Sequence, residues 1–144
     1  MDKYSVLMSV YIKEKSEYLR QSINSMINQT VMPDEILIVK DGPLTDELDE
    51  VLDEFTNNYP DLFNIVISNE NVGLGLALNI GLKECKNELI ARMDTDDISL
   101  PDRCEKQLRA FQQDKDLSIV SGNISEFIND ESNIVGNRIV PTNN

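Results

Sequence analysis

Short, nearly continuous apolar runs alternate along the chain with segments whose apolar residues recur at helical spacing. Tyr4 to Tyr11 is almost wholly apolar, the pattern of a strand buried on both faces. Leu19, Ile23, Met26 and Ile27 then follow at i, i+4, i+7 and i+8. That spacing lays one apolar stripe along a helix, with Ser16 placed to cap it and Pro33-Asp34 placed to end it. Glu35 to Lys40 predicts a second strand, and Asp41-Gly42-Pro43 a loop. Thr45 predicts the cap of a second helix, whose first turn carries Asp46 and Glu47 at the positive end of its dipole. Its stripe is Leu48, Val51, Leu52 and Phe55. Phe63 to Ser68 predicts a third strand, Asn69 to Gly75 a loop, and the residues through about Cys85 a helix. Glu88 to Met93 predicts a fourth strand running into Asp94-Thr95-Asp96-Asp97. Pro101 suits the first turn of a helix bearing Cys104, Leu108 and Phe111. Leu117 to Ser121 predicts a fifth strand. Asn123 to Val140 predicts two short antiparallel strands around Asn129-Asp130-Glu131-Ser132. No repeat or low-complexity tract interrupts this order.

Repeated strand–helix alternation predicts an α/β fold: a mainly parallel sheet, right-handed crossovers and helices on both faces. Its 144 residues suit one domain with one core. In such sheets, ligands sit at the carboxyl ends of the strands. Asp41 follows strand two, and Asp94, Asp96 and Asp97 follow strand four. All four therefore fall on one rim. Clustered carboxylates repel, so their grouping there points to a bound cation. All-oxygen donors suit Mg2+ or Mn2+, which fill their remaining positions with phosphate oxygens and water. An Asp-x-Asp turn is suited to gripping a nucleotide diphosphate through such an ion. Solvated loop acids are the alternative, and Asp41-Gly42 also marks an ordinary turn.

Charge narrows the partners. Thirteen Lys and Arg stand against 26 Asp and Glu, for a net charge of −13. Such a surface repels nucleic acid and anionic lipid headgroups, and a phosphate-bearing ligand needs a metal or local dipoles to bind. There is no His, so no His base, nucleophile or ligand lies in these residues. Cys85 and Cys104, the only cysteines, fall on apolar helix faces and read as free core thiols. No apolar run approaches the roughly 20 residues of a membrane span, and no secretory signal opens the chain.

Four ordered segments together carry a resemblance. Tyr4 to Thr30 gives an opening strand and helix, Ile36 to Gly42 a strand and acidic loop, Asn69 to Leu82 a glycine-containing segment, and Leu89 to Arg103 an Asp-x-Asp strand and helix. In these the chain resembles the N-terminal part of family 2 glycosyltransferases, of bacterial capsule and exopolysaccharide type, over about residues 4 to 122. The resemblance implies the GT-A fold, a Rossmann-like nucleotide-diphospho-sugar transferase architecture. It implies that residues 1–144 are one donor-nucleotide-binding domain of a longer transferase, with the acceptor half and catalytic base beyond residue 144, and that this piece alone turns over poorly. By it, Tyr11 lines the nucleoside pocket and Asp41 bonds the uracil edge. Asp94 contacts the ribose or a metal-bound water, Asp96 ligates Mn2+ or Mg2+, Asp97 stands behind them, and Asn79 lies near the donor sugar. The implied partners are a nucleotide-diphospho-sugar (UDP by default) and a saccharide or lipid-linked saccharide acceptor, with inversion at the anomeric carbon. The implied setting is cytoplasmic, compatible with peripheral attachment at the inner membrane face for the full-length protein.

The chain departs from the family pattern at Ile12, Lys40, Pro43 and Leu78, in place of Asn, an acid, Ser and Arg. These bear on base preference and leave the acidic turn intact. Gly73, Gly75 and Gly81 serve either ligand approach or turn and helix packing. Arg92 serves either a diphosphate or a salt bridge, and Arg103 either the acids or the helix start. A receiver-type domain lacks its phosphoacceptor, since Ser68-Asn69 end strand three and Val10-Tyr11-Ile12 end strand one. A nucleotidyltransferase lacks its basic Gly-rich loop after strand one. A non-catalytic nucleotide-sugar-binding module is the remaining alternative.

Overall fold

The computed structural model describes residues 2–127 and 134–138. The chain forms two compact units, Met1–Glu105 and Lys106–Asn144. The first holds β1 (Tyr4–Val10), α1 (Ser16–Ile27), β2 (Glu35–Asp41), α2 (Asp46–Asn58), β3 (Phe63–Ser68), α3 (Leu74–Glu84) and β4 (Leu89–Arg92). Next come α4 (Arg103–Gln113), β5 (Ile124–Phe127) and β6 (Ile134–Arg138). The four strands of the first unit form one sheet in the order β3-β2-β1-β4. Every pairing in it is parallel. The expected parallel α/β sheet is therefore present, and the carboxyl ends of all its strands lie on one rim.

The sheet faces follow from strand alternation. Leu7, Leu37 and Val39 share one face and form a buried cluster with Ala77 of α3. Gly81 lies one turn further on, where α3 comes closest to the sheet: a Cβ there would stand 2.5 Å from Leu7 Cδ1 and 2.7 Å from Val39 Cγ2. The opposite face carries Val6, Met8, Val10, Ile36 and Ile38, all buried. α1 and α2 cover it with Leu19, Ile23 and Met26 and with Leu48, Val51, Leu52 and Phe55. Thr45 caps α2 as expected, accepting the Leu48 N–H at 3.2 Å.

At the amino-terminal ends of the strands, Glu35 is 1% exposed yet ionisable. Its carboxylate accepts the Ser5 hydroxyl at 2.7 Å, the Lys86 N–H at 2.8 Å and the Asn64 amide at 3.1 Å. Burial alone would raise its pKa, but the bonds from Lys86, Ser5 and Asn64 outweigh that and hold it below its ordinary value. One carboxylate thus ties together β1, β2, β3 and the turn before β4.

Several elements differ from the sequence expectation. Leu117 to Ser121 is not a strand. Its apolar run has no ladder partner among the described residues, and Ile119 is 83% exposed. An apolar run specifies a strand only when a neighbour offers backbone to pair with. Ser16 is the first residue of α1 rather than its cap; Lys15 holds the cap position without a side-chain bond. Pro101 precedes α4, because its carbonyl accepts the Thr30 N–H at 2.8 Å and the chain turns once more before Arg103. β5 and β6 pair antiparallel as expected, and the turn expected at Asn129 to Ser132 lies outside the described residues. No helix among the described residues is long and apolar enough to cross a membrane.

Replacing Glu35 by Ala leaves one buried and two part-buried donors without their acceptor, and the expected loss is about 2–4 kcal/mol in urea unfolding at neutral pH. Because the folded-state pKa is depressed below the ordinary 4.5, this contribution is present above pH 4.5 and disappears as pH falls through the lower folded value. A Glu35→Gln chain should therefore lack that part of the acid dependence, which unfolding curves between pH 7 and pH 3 would reveal. At Gly81, alanine gains about 1 kcal/mol of helix propensity, while forcing a methyl into the packed sheet costs about 1–3 kcal/mol. Gly81→Ala should thus lower the thermal midpoint, whereas a raised midpoint would mean that α3 lifts off the sheet freely.

Candidate functional site

The rim is built from the segments that follow each parallel strand. After β4, Met93 donates its N–H to the Leu7 carbonyl at 3.1 Å and extends the ladder by one bond. The chain then leaves the sheet as Asp94-Thr95-Asp96-Asp97. This turn closes through the Asp97 N–H on the Asp94 carbonyl at 3.2 Å. Carboxylate oxygens of Asp94, Asp96 and Asp97 lie within 4.8 Å of one another. Asp97 as a residue is exposed, but partial burial of its carboxyl raises its pKa, and the neighbouring Asp96 and Asp94 charges add to that. Three hard oxygen donors whose charges oppose each other fit a small divalent cation.

The two nearest arginines contact both the framework and the acids. Arg92 pairs with Asp94 at 3.1 Å. Arg103 sends one arm to the Arg92 carbonyl at 2.9 Å and the other to the Ser99 hydroxyl at 2.9 Å and the Met93 sulfur at 3.4 Å. These contacts are a salt bridge for Arg92 and helix-start contacts for Arg103, and both guanidinium charges also act on the Asp97 carboxyl, opposing the rise in its pKa. The sequence reading missed what holds the segment from residue 94 to 104 in place, which is a polar stripe that runs along α1 and on to Gln29 just past its end. Ser22 donates to the Asp94 carbonyl at 2.8 Å. Ser25 accepts the Ser99 N–H at 3.1 Å. Gln29 donates to the Leu100 carbonyl at 2.8 Å and accepts the Cys104 N–H at 3.0 Å. Buried or half-buried polar residues at i, i+3 and i+7, beside an apolar stripe, were the available signal.

Asp41 is 3% exposed. Its carboxylate accepts the Val72 N–H at 2.7 Å and the Gly73 N–H at 3.1 Å, so it anchors the loop that leads into α3. Gly73 caps that helix at φ 92, and Gly42 turns at φ 86. A Cβ on Gly42 would lie 2.8 Å from the Asn71 nitrogen, so the two loops touch only because residue 42 has no side chain. Lys40 projects to the other face, where its ammonium lies 2.6 Å from Asp49 of α2. Its departure from the acid of the family pattern is thereby matched to a helix contact. Tyr11 is 45% exposed just past β1. Asn79 is exposed on α3. The structure thus gathers Asp94, Asp96 and Asp97, gives Asp41 a loop to hold, and leaves Tyr11 and Asn79 open. Cys85 and Cys104 are free. Burial, with the Glu35 charge, pushes the Cys85 thiol up to about 11, so it stays protonated and unreactive near neutral pH.

Comparison with known proteins places this geometry. The family described as Glycosyl transferase family 2 matches residues 5–139. An uncharacterized glycosyltransferase of Haemophilus influenzae is 45% identical over 97% of this chain and 52% of its own length. The amylovoran biosynthesis glycosyltransferase AmsE of Erwinia amylovora is 43% identical over 86% of this chain and 46% of its own. The UDP-Gal:alpha-D-GlcNAc-diphosphoundecaprenol beta-1,3-galactosyltransferase of Escherichia coli is 38% identical over 87% and 45%. This chain thus spans about half the length of the curated relatives it matches. The mannosyltransferase PcManGT of Pyrobaculum calidifontis, solved with GDP-Man and Mn2+, superposes with a TM-score of 0.67 at 18% identity, over 85% of this chain and 34% of that one. That likeness shows the fold, which is GT-A as expected. By the span of the family match and the identity of its relatives, the chain belongs to glycosyltransferase family 2.

Proposed function

We propose that this chain is the donor-nucleotide-binding half of a metal-dependent glycosyltransferase acting in polysaccharide biosynthesis. The observation that carries this reading is the acidic turn of Asp94, Asp96 and Asp97, set at the carboxyl end of β4 in a family 2 chain. Asp96 and Asp94 hold the ion, Mn2+ or Mg2+, and Asp97 stands behind them. When bound, the ion supplies positive charge to diphosphate oxygens and so stabilises the leaving group. Tyr11 lines the nucleoside pocket and Asn79 lies toward the donor sugar.

Asp41 serves the base. A carboxylate offers about four acceptor positions, of which Val72 and Gly73 occupy two. The others suit a uracil imide N–H, which favours a UDP-sugar. The UDP-Gal in the name of the Escherichia coli relative supports that choice, while the GDP-Man bound to the Pyrobaculum protein keeps the guanine nucleotide as the comparison ligand. The acceptor is a saccharide or lipid-linked saccharide hydroxyl, transfer inverts the anomeric carbon, and the base that takes the hydroxyl proton lies beyond residue 144. The protein works in the cytoplasm, at the inner membrane face where the acceptor is lipid-linked.

Calorimetric titration with UDP, with and without Mn2+, tests the reading. Saturable binding should need Mn2+, and Asp96→Ala should weaken it at least tenfold (about 1.4 kcal/mol). Binding that ignores Mn2+ and survives the substitution would exclude the acidic turn as the metal site. Stronger binding of GDP than of UDP would overturn the assignment of the base.

A further inference from the structure

The acidic turn has a problem of its own: three like charges within 4.8 Å push the backbone that carries them apart. Its middle residue supplies part of the answer. Thr95 is only 6% exposed, so its side chain points inward while those of Asp96 and Asp97 remain exposed and that of Asp94 half-exposed. The Thr95 hydroxyl donates to Glu14 Oε2 at 2.5 Å across 81 residues of chain. The other oxygen, Oε1, accepts the Lys15 N–H at the cap position of α1 at 2.9 Å. The Glu14 N–H in turn closes on the Tyr11 carbonyl at 3.0 Å.

Resting on the donor-site reading above, we infer that Glu14 is a positioning residue that couples the nucleoside loop at Tyr11 to the metal-binding turn through the Thr95 hydroxyl. Glu14 presents two acceptors to two donors, the Thr95 hydroxyl and the Lys15 N–H. A carboxylate accepts on both oxygens, whereas an amide has a single oxygen and would turn an NH2 toward one of the donors. The start of α1 also favours the carboxylate, because a helix amino terminus stabilises negative charge. A bond from a hydroxyl to an ionised acceptor is also short and strong. Motion of the Tyr11 loop on binding a nucleoside is thereby transmitted to the residue between the two metal-binding aspartates.

The test is a double-mutant cycle with Glu14→Gln and Thr95→Val, with Thr95→Ser as the conservative rescue. Titrations use Mn2+ alone, UDP alone, and UDP with saturating Mn2+. Each single substitution should weaken UDP binding in the presence of Mn2+ about tenfold, with far less effect on UDP alone. The double variant should be no worse than either single one, because one bond is lost once, and Thr95→Ser should bind within twofold of the parent. A global loss of stability would move the thermal midpoint without this metal-specific split or the rescue. Additive effects, or variants within twofold of the parent, would overturn the coupling while leaving the donor-site reading intact. Amide hydrogen exchange without ligand reads the same link independently. Protection at residues 11–13 and 94–97 should fall together in Thr95→Val and in Glu14→Gln while β1 and β2 are unchanged. Exchange confined to one of the two segments would sink the inference even if UDP proved to be the wrong nucleotide.

Discussion

A stretch of chain without a helix or strand of its own must still find partners for its peptide groups, and residues 94 to 102 are the stretch on which this site depends. They link β4 to α4, with Thr95 and Ser99 buried and Asp94, Ile98 and Asp102 half-buried among exposed neighbours. Their partners come from one side of α1 and its exit, where Ser22, Ser25 and Gln29 present polar side chains toward the loop. Thr30 continues the line through its backbone to Pro101. Each bond is worth about 1 kcal/mol net, but losing one would strand a half-buried peptide group at a larger cost. The acids at the head of the loop are thus placed by a helix that precedes them by about seventy residues, which is why α1 carries polar residues on part of its inner side.

Both ends of the sheet are organised by carboxylates that each accept more than one donor. At the amino-terminal ends, Glu35 gathers Ser5, Asn64 and Lys86. At the carboxyl-terminal rim, Asp41 gathers Val72 and Gly73, and Glu14 gathers Lys15 and Thr95. Parallel strands connected by helices bring together loops that are far apart in sequence, and no ladder bonds join those loops to each other. An ionised acceptor serves two or three donors at once, so it can knit such loops where apolar contacts cannot. Part of the large acidic excess of the chain is therefore structural, and formal charge overstates the acids left to meet ligands.

How much of this was legible in the sequence follows from which signals are local. The first three strands were readable because Tyr4 to Val10, Ile36 to Val39 and Phe63 to Ile67 are apolar runs broken by turn residues. α2 was readable in its apolar stripe and in its Thr45 cap, because the cap and the N–H it satisfies lie three residues apart. The acidic turn was readable as a strand ending in Asp-x-Asp. Leu117 to Ser121 was misread, because burial and pairing come from neighbours that the run does not encode. Ser16 and Pro101 misled by one or two residues, since Glu14 and Thr30, each bonding to a distant segment, set where those helices begin. Glu14, Thr95 and the α1 polar stripe could not be read individually, for each gains its meaning only from a partner more than seventy residues away.

Arg92 is engaged by Asp94, and Arg103 by a carbonyl, a sulfur and a hydroxyl. Lys40, the cation nearest Asp41 in sequence, is turned to the opposite face and paired with Asp49. Among the described residues no ion pair reaches Asp96 or Asp97. A protein of net charge −13 that binds a diphosphate by direct ion pairs would keep arginines free at the rim. Here the nearest arginines are engaged in the framework and carboxylates are concentrated at the rim, an arrangement that repels a bare diphosphate and supports the proposed cation between them. The proposed metal dependence thus rests on where the positive side chains have been committed as much as on the acids themselves.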